Sequence, residues 1–203
     1  MADMRASNTP PRYGTVAITF HWVIAALILV NIALGLYFAD LPRSNPIKFE
    51  LVQFHKSIGL TVLTLSIFRV LWRIVNPVPA LPADMNPLLR VVARGTHYLL
   101  YLLIIAIPLS GWMLVSSSPL GLATNYFHLF SWPNLWFLSE LPRTQKIPLR
   151  DAFDTTHVFL AWSAIVLIPV HLGGALYHHF IRRDDILKRM LPSTTVTSLQ
   201  AAE

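Results

Sequence analysis

The sequence predicts an all-α membrane protein, a four-transmembrane-helix bundle with both termini cytoplasmic. Three observations predict it. Of 203 residues, 54% are hydrophobic and only 13% charged, against roughly 25% charged in soluble domains. Four apolar runs, at about 16–38, 51–74, 96–116 and 155–181, each reach the roughly 20 residues that a bilayer requires. The basic residues between those runs are distributed unequally, in the sense of the positive-inside rule.

Each element follows from its own residues. The first run is preceded by Arg5 and Arg12, as a secretion signal would be, but it exceeds the roughly 7–15 apolar residues of a signal core and carries His21 near its start, so it reads as an uncleaved first span. Backbone groups in lipid must bond internally, which makes all four runs helices. The gaps 40–50 and 76–87 read as loops. The second contains Asn76-Pro77-Val78-Pro79 and Pro82, and proline both removes a backbone donor and disfavours helix before it. Pro108 and Pro169 are expected to kink the third and fourth spans. The gap 117–154 is longer, and its Tyr126-Phe127-His128-Leu129-Phe130-Ser131-Trp132 and Trp136 have the aromatic weight of an interfacial element on the outer leaflet. No internal repeat, low-complexity tract or second domain stands out, so residues 1–203 form one membrane-embedded domain.

With both termini cytoplasmic, Arg5, Arg12, Arg69, Arg73, Arg90, Arg94, Arg182, Arg183, Lys188 and Arg189 fall inside, and Arg43, Lys48, Lys56, Arg143, Lys146 and Arg150 outside. Ten against six fixes the orientation. The net charge of +6 reports that asymmetry and requires no nucleic-acid partner. The chain has no cysteine. That excludes disulfides, cysteine-ligated iron–sulfur clusters and thioether-attached haem.

The histidines carry the chemistry. His157 and His171, fourteen residues apart, are about 21 Å apart along a helix and within about 40° of one face. Ionisable groups at membrane depth are costly and usually functional, and paired imidazoles across a bundle are axial ligands of haem iron. Depth sorts the others. His55, five residues after Glu50, and His157, three after Asp154, form an outer pair. His171, eleven residues before Arg182, and His21, nine after Arg12, form an inner pair. His97 competes for the inner site but is shallower and matches His178 in depth. Those two are expected beneath the inner haem, where propionates or a quinone headgroup would lie. His179 points about 100° away from His178 and reads as a surface group, and His128 reads as an ordinary polar residue of the aromatic loop. Arg69, fourteen residues after His55, shares its face at the inner level, where it would pair a propionate. Gly59, one turn from His55, and Gly173 and Gly174 after His171 would either admit a flat macrocycle or pack helices together.

Phe20-His21-Trp22, Phe54-His55-Lys56-Ser57-Ile58-Gly59, Arg94-Gly95-Thr96-His97-Tyr98, and His157 with His171 ahead of Tyr177-His178-His179 resemble the prokaryotic cytochrome b-561 family from about Tyr13 to Pro192. The resemblance implies two non-covalent b-type haems, held by His21 with His171 and by His55 with His157, in a bacterial inner membrane. It also implies ubiquinone exchange at the cytoplasmic side and, as in the superoxide oxidases of the family, oxidation of superoxide outside. Lys56, beside the outer ligand, would steer that anion locally, since the outer face as a whole is only +1, six basic residues against five acidic. The longer 117–154 loop and the C-terminal tail depart from compact members. Two rivals are a haem-bearing subunit that accepts electrons from a dehydrogenase partner, and a transporter with structural histidines.

Overall fold

The computed structural model describes residues 6–9, 12–82 and 84–192. Arg5, counted above on the inner side, lies outside the described residues. Four long helices dominate, α1 (Thr15–Asp40), α2 (Lys48–Val75), α3 (Pro87–Ser116) and α5 (Arg143–Leu176), each part of a segment apolar enough to cross a membrane. Between α3 and α5 lie strands β1 (Thr124–Tyr126) and β2 (Phe130–Trp132) and the one-turn helix α4 (Trp136–Ser139). Proline and asparagine set the boundaries. α1 stops at Leu41, before Pro42, α2 stops at Asn76, before Pro77, and α3 begins on Pro87 with the Asn86 side chain accepting the Leu88 N–H. That is the usual use of Asn at an N-cap and Pro at the first helical position.

The helices are longer than the apolar runs. α5 with its terminal π-helical turn (Tyr177–Arg182) covers 40 residues, about 60 Å, twice a hydrocarbon core. The sequence predicts loop for the first three turns of α5, 143–154, which are helical. They carry Arg143, Lys146, Arg150, Asp151 and Asp154, which hydropathy excludes from lipid but which a helix outside lipid accommodates.

α1 packs chiefly on α2, α3 on α5, and α2 on α3 joins the two hairpins. Ile24, Ile58 and Val62 form the buried cluster, while Leu102, 60% exposed, and Val166, 65% exposed, turn outwards as lipid-facing residues do. The fully buried side chains among the described residues are serines, Ser57, Ser66, Ser116 and Ser117, and two of them lie under the α3–α5 loop, Ser57 Oγ accepting the Phe127 N–H and Ser116 Oγ the Leu135 N–H.

The aromatic loop is a β-hairpin docked on the bundle. β1 and β2 pair antiparallel from Thr124↔Trp132 to Tyr126↔Phe130. The Tyr126 hydroxyl meets the Thr61 hydroxyl (2.9 Å), the Phe127 N–H donates to Ser57 Oγ (3.1 Å) and the Trp112 indole donates to the Pro133 carbonyl (3.0 Å). The hairpin tip has Phe127 and His128 at φ 47° and 60°, a region uncommon for non-glycine residues and costly for a bulky one. His128 is more engaged than the sequence suggests, with Nε2 3.1 Å from Glu50. At the opposite end the chain turns back after Arg183. The Trp22 indole donates to the Met190 carbonyl (2.7 Å), Arg12 to the Leu191 carbonyl (2.9 Å) and Arg189 to the Ala80 carbonyl (2.6 Å). The amino- and carboxy-terminal segments thus meet on one side of the bundle.

Candidate functional site: two histidine layers

The four expected ligands meet in two pairs. The His55 and His157 rings have centroids 6.1 Å apart, and His21 and His171 6.2 Å. Three helices supply these pairs: α1 gives His21, α2 gives His55, and α5 gives both His157 and His171, one to each layer.

In the outer layer both rings are held in the same way. His55 Nδ1 is 3.1 Å from the Asn31 carbonyl, and His157 Nδ1 is 3.0 Å from the Ile107 carbonyl, with the Ser110 hydroxyl 3.0 Å from the same nitrogen. A carbonyl only accepts, so Nδ1 carries the proton in each ring and Nε2 presents its lone pair. Each ring also lies against a glycine of the neighbouring helix. A Cβ on Gly35 would come within 3.2 Å of His55 Cε1, and one on Gly111 within 3.2 Å of His157 Cε1. In the inner layer neither His21 nor His171 has such a carbonyl clamp among the described residues. A third ring stands there instead, since His97 is 5.3 Å from His171, edge to face, and bonds back to the Ala93 backbone one turn earlier.

These residues fit a haem. An imidazole nitrogen bonds a transition metal at about 2.0 Å and lies about 1.1 Å from its ring centre, so two imidazoles on opposite sides of one metal have centres about 6.2 Å apart. Both observed spacings match. Among the described residues no three His, Cys, Asp or Glu side chains converge to hold a bare ion. Two axial nitrogens therefore suit a metal whose remaining ligands come from a macrocycle. Asn31 Oδ1 and Ser66 Oγ, on the helices that carry His21 and His55, are buried without a hydrogen-bond partner, as polar groups facing an absent occupant would be.

The other expected residues divide. Arg69 donates to the Ala17 carbonyl (3.0 Å) and acts electrostatically on His21, His97 and His171, so it does reach the inner layer. With Arg73 it flanks the Tyr101 ring at 5.6 and 4.9 Å, beside a cavity of about 20 Å³ that Tyr13 and Trp72 also line. Burial raises the Tyr13 phenol above its usual range, opposed by Arg73, which keeps it a neutral donor. Lys56 is partly buried beside His55 and has no carboxylate partner among the described residues. Gly59 faces the Asn31 amide, with a Cβ there 3.6 Å from Nδ2, and a Cβ at Gly173 or Gly174 meets nothing within 4 Å. Gly59 therefore lies at a helix contact and not against a ligand ring. His178 pairs with Asp184, while His97 packs on His171. The two expected together beneath the inner haem have separate partners. His179 is not a surface group, since its Nδ1 is buried without a partner.

The residues that sequence reasoning missed are Gly35, Gly111 and the carbonyls of Asn31 and Ile107. A signal existed. Gly35 is fourteen residues after His21, Gly111 fourteen after His97, and Arg69 fourteen after His55, the spacing of His157 and His171. Each clamping carbonyl is four residues before its glycine. The α1–α2 and α3–α5 hairpins thus repeat one arrangement of contacts. The repeat is carried by contacts and escapes a search for like residues.

A family model described as prokaryotic cytochrome b561 matches residues 12–193. The chain is 36% identical over 188 residues to cytochrome b561 homolog 2 of Escherichia coli (strain K12), covering 93% of this chain and 95% of the relative. It is 26% identical over 181 residues to the probable superoxide oxidase CybB of Yersinia pestis, covering 89% and 96%. It is 28% identical over 188 residues to cytochrome b562 of Cereibacter sphaeroides, covering 89% and 96%.

Proposed function

Since the chain belongs to the prokaryotic cytochrome b561 family of membrane electron-transfer proteins, we propose that it carries electrons across the bacterial inner membrane between two b haems, oxidising superoxide at the outer face and reducing ubiquinone at the cytoplasmic face. The observation that supports this reading best is the pair of ring spacings, 6.1 and 6.2 Å, in two layers of one bundle. His55 with His157 would hold the outer haem and His21 with His171 the inner one. Bound haem supplies a one-electron iron couple in each layer. Gly35 and Gly111 leave room for the outer rings, and the Asn31 and Ile107 carbonyls aim their Nε2 atoms. Arg69 pairs a propionate at the inner layer. Lys56 offers a positive charge next to His55 with no carboxylate partner among the described residues, and His97 and His178 serve the quinone end. The relative named a probable superoxide oxidase supports the choice of donor.

Two measurements test this reading. Purified protein should give a reduced-minus-oxidised haem spectrum and two haems per chain. A chain without haem absorbance would end the redox reading and favour a transporter. Rapid mixing with superoxide should reduce the haems, and Lys56→Glu should slow that step roughly tenfold at low salt, because two units of charge change about 6 Å from an anion, each worth about 0.7 kcal/mol in water. The effect should fade by about 1 M salt, where the Debye length is about 3 Å. Reduction no faster than by a neutral donor, with no response to salt or Lys56, would sink the superoxide step and favour a dehydrogenase-type partner docked on the aromatic hairpin.

A further inference from the structure

We propose that Asp184 is a positioning residue for proton delivery to the quinone, holding His178 so that its Nε2 donates to a quinone oxygen at the cytoplasmic end of α5. This deepens the ubiquinone reading above and rests on it.

His178 lies in the π-helical turn Tyr177–Arg182, seven residues and about 10 Å beyond His171 along α5. Such turns are rare and frequently mark functional sites. Three bonds grip Asp184. Its Oδ2 is 2.6 Å from His178 Nδ1, its N–H donates to the His178 carbonyl (3.1 Å), and its Oδ1 accepts the Ile186 N–H (3.1 Å). The reversal that brings it there passes through Arg183 in the left-handed region, φ 56°, where glycine is the usual residue. Backbone strain of this kind persists only where the surroundings enforce it and clusters at working sites.

The pair is set up for chemistry. The two side chains are only 12% and 21% exposed, so solvent screens them weakly. Of the neighbouring cations, Arg182 is engaged by Asp84 at 2.8 Å and Lys188 by Asp185 at 3.0 Å, and Arg183 is exposed and makes no ion pair with Asp184 among the described residues. The Asp184 carboxylate therefore faces one ionisable partner among the described residues. With Nδ1–H committed to Asp184, the labile proton of the imidazolium is on Nε2. That atom has no hydrogen-bond partner among the described residues and, unlike His179 Nδ1, is not buried. Ubiquinone leaves as quinol after two electrons, delivered singly through the inner layer, and two protons. His178 transfers one of these protons from Nε2 to the quinone oxygen that faces it and is reprotonated from cytoplasmic water, and the other oxygen takes the second proton from cytoplasmic water. Asp184 holds the ring in this orientation between transfers.

The test uses the full haem-loaded chain, reduced anaerobically and mixed with ubiquinone-1, which takes protons, or ferricyanide, which takes none, in H2O and D2O. Positioned general acids contribute typically about 10²–10⁴-fold, so Asp184→Asn and His178→Gln should slow oxidation by ubiquinone-1 at least about tenfold, with a larger D2O effect than the parent. Oxidation by ferricyanide should stay unchanged, and Asp184→Glu should restore most of the ubiquinone rate. Equal slowing toward both acceptors would overturn the proposal, because a structural defect acts on both. Unchanged rates and isotope effects in a parent that does reduce ubiquinone-1 would overturn it alone. A parent that cannot reduce ubiquinone-1 would overturn the quinone reading and this proposal together.

Discussion

Replacing His171 with alanine should strip the inner haem and leave most of the outer one, halving the haem content, and replacing His157 should do the reverse. The expectation rests on one helix presenting both rings, His157 6.1 Å from His55 and His171 6.2 Å from His21. A low-spin iron that loses one of two axial imidazoles loses its main tether in a protein with no cysteine to hold the macrocycle covalently. His171 is a cleaner probe than His21, because in His21→Ala the ring of His97 still stands 5.3 Å from His171. His97→Ala itself should keep both haems and impair quinone reduction. Haem-to-protein ratio and low-spin resonance intensity measure the outcome. Two full haem equivalents in either the His157 or the His171 variant would refute the assignment.

Valine at Gly35 or at Gly111 should remove the outer haem as thoroughly as loss of a ligand, while sparing the inner one. A bare Cβ would already stand 3.2 Å from each ring, and valine adds two carbons. The ring cannot retreat without breaking its bond to the Asn31 or Ile107 carbonyl, and losing the outer-shell partner of a ligating histidine typically costs 10–100-fold in metal affinity. Gly59→Ala is the contrast, since its Cβ would make an ordinary 3.6 Å contact with the Asn31 amide. Haem content should not change there. Retention of both haems in the two valine variants would show that ring and glycine are not held as tightly as the contacts indicate.

The depth and helix face of the four histidines were legible because both are arithmetic on a helix. Counting residues from Arg12, Glu50, Asp154 and Arg182 sorted His21, His55, His157 and His171 into the pairs that the rings form. Partners were harder to read. Nothing in the residue types says that His55 sits on Gly35 and not near Gly59, since both glycines are small and within reach, and the choice depends on how α1 and α2 are rotated about their axes. Hydropathy marks where lipid ends, not where a helix ends, so the first turns of α5 passed for loop. The π turn at Tyr177 defeats the step of about 100° per residue on which the placement of His179 at the surface relied. The Asp184 contact depends on a reversal at Arg183 that no glycine announces.

The seam between the two ends of the chain has a consequence for biosynthesis. Trp22 and Arg12 belong to the first segment a ribosome makes, and their partners, the carbonyls of Met190 and Leu191, are nearly the last. At about 5–20 residues per second, roughly ten to thirty seconds separate their emergence. Through that interval the first helix is inserted but not latched, and the face that carries His21 waits on α5 for its opposite ring. Completion of the inner ring pair is therefore a late event in assembly, and the outer pair also waits on α5 for His157, although its α1–α2 half, with His55 already bonded to the Asn31 carbonyl, is complete far earlier.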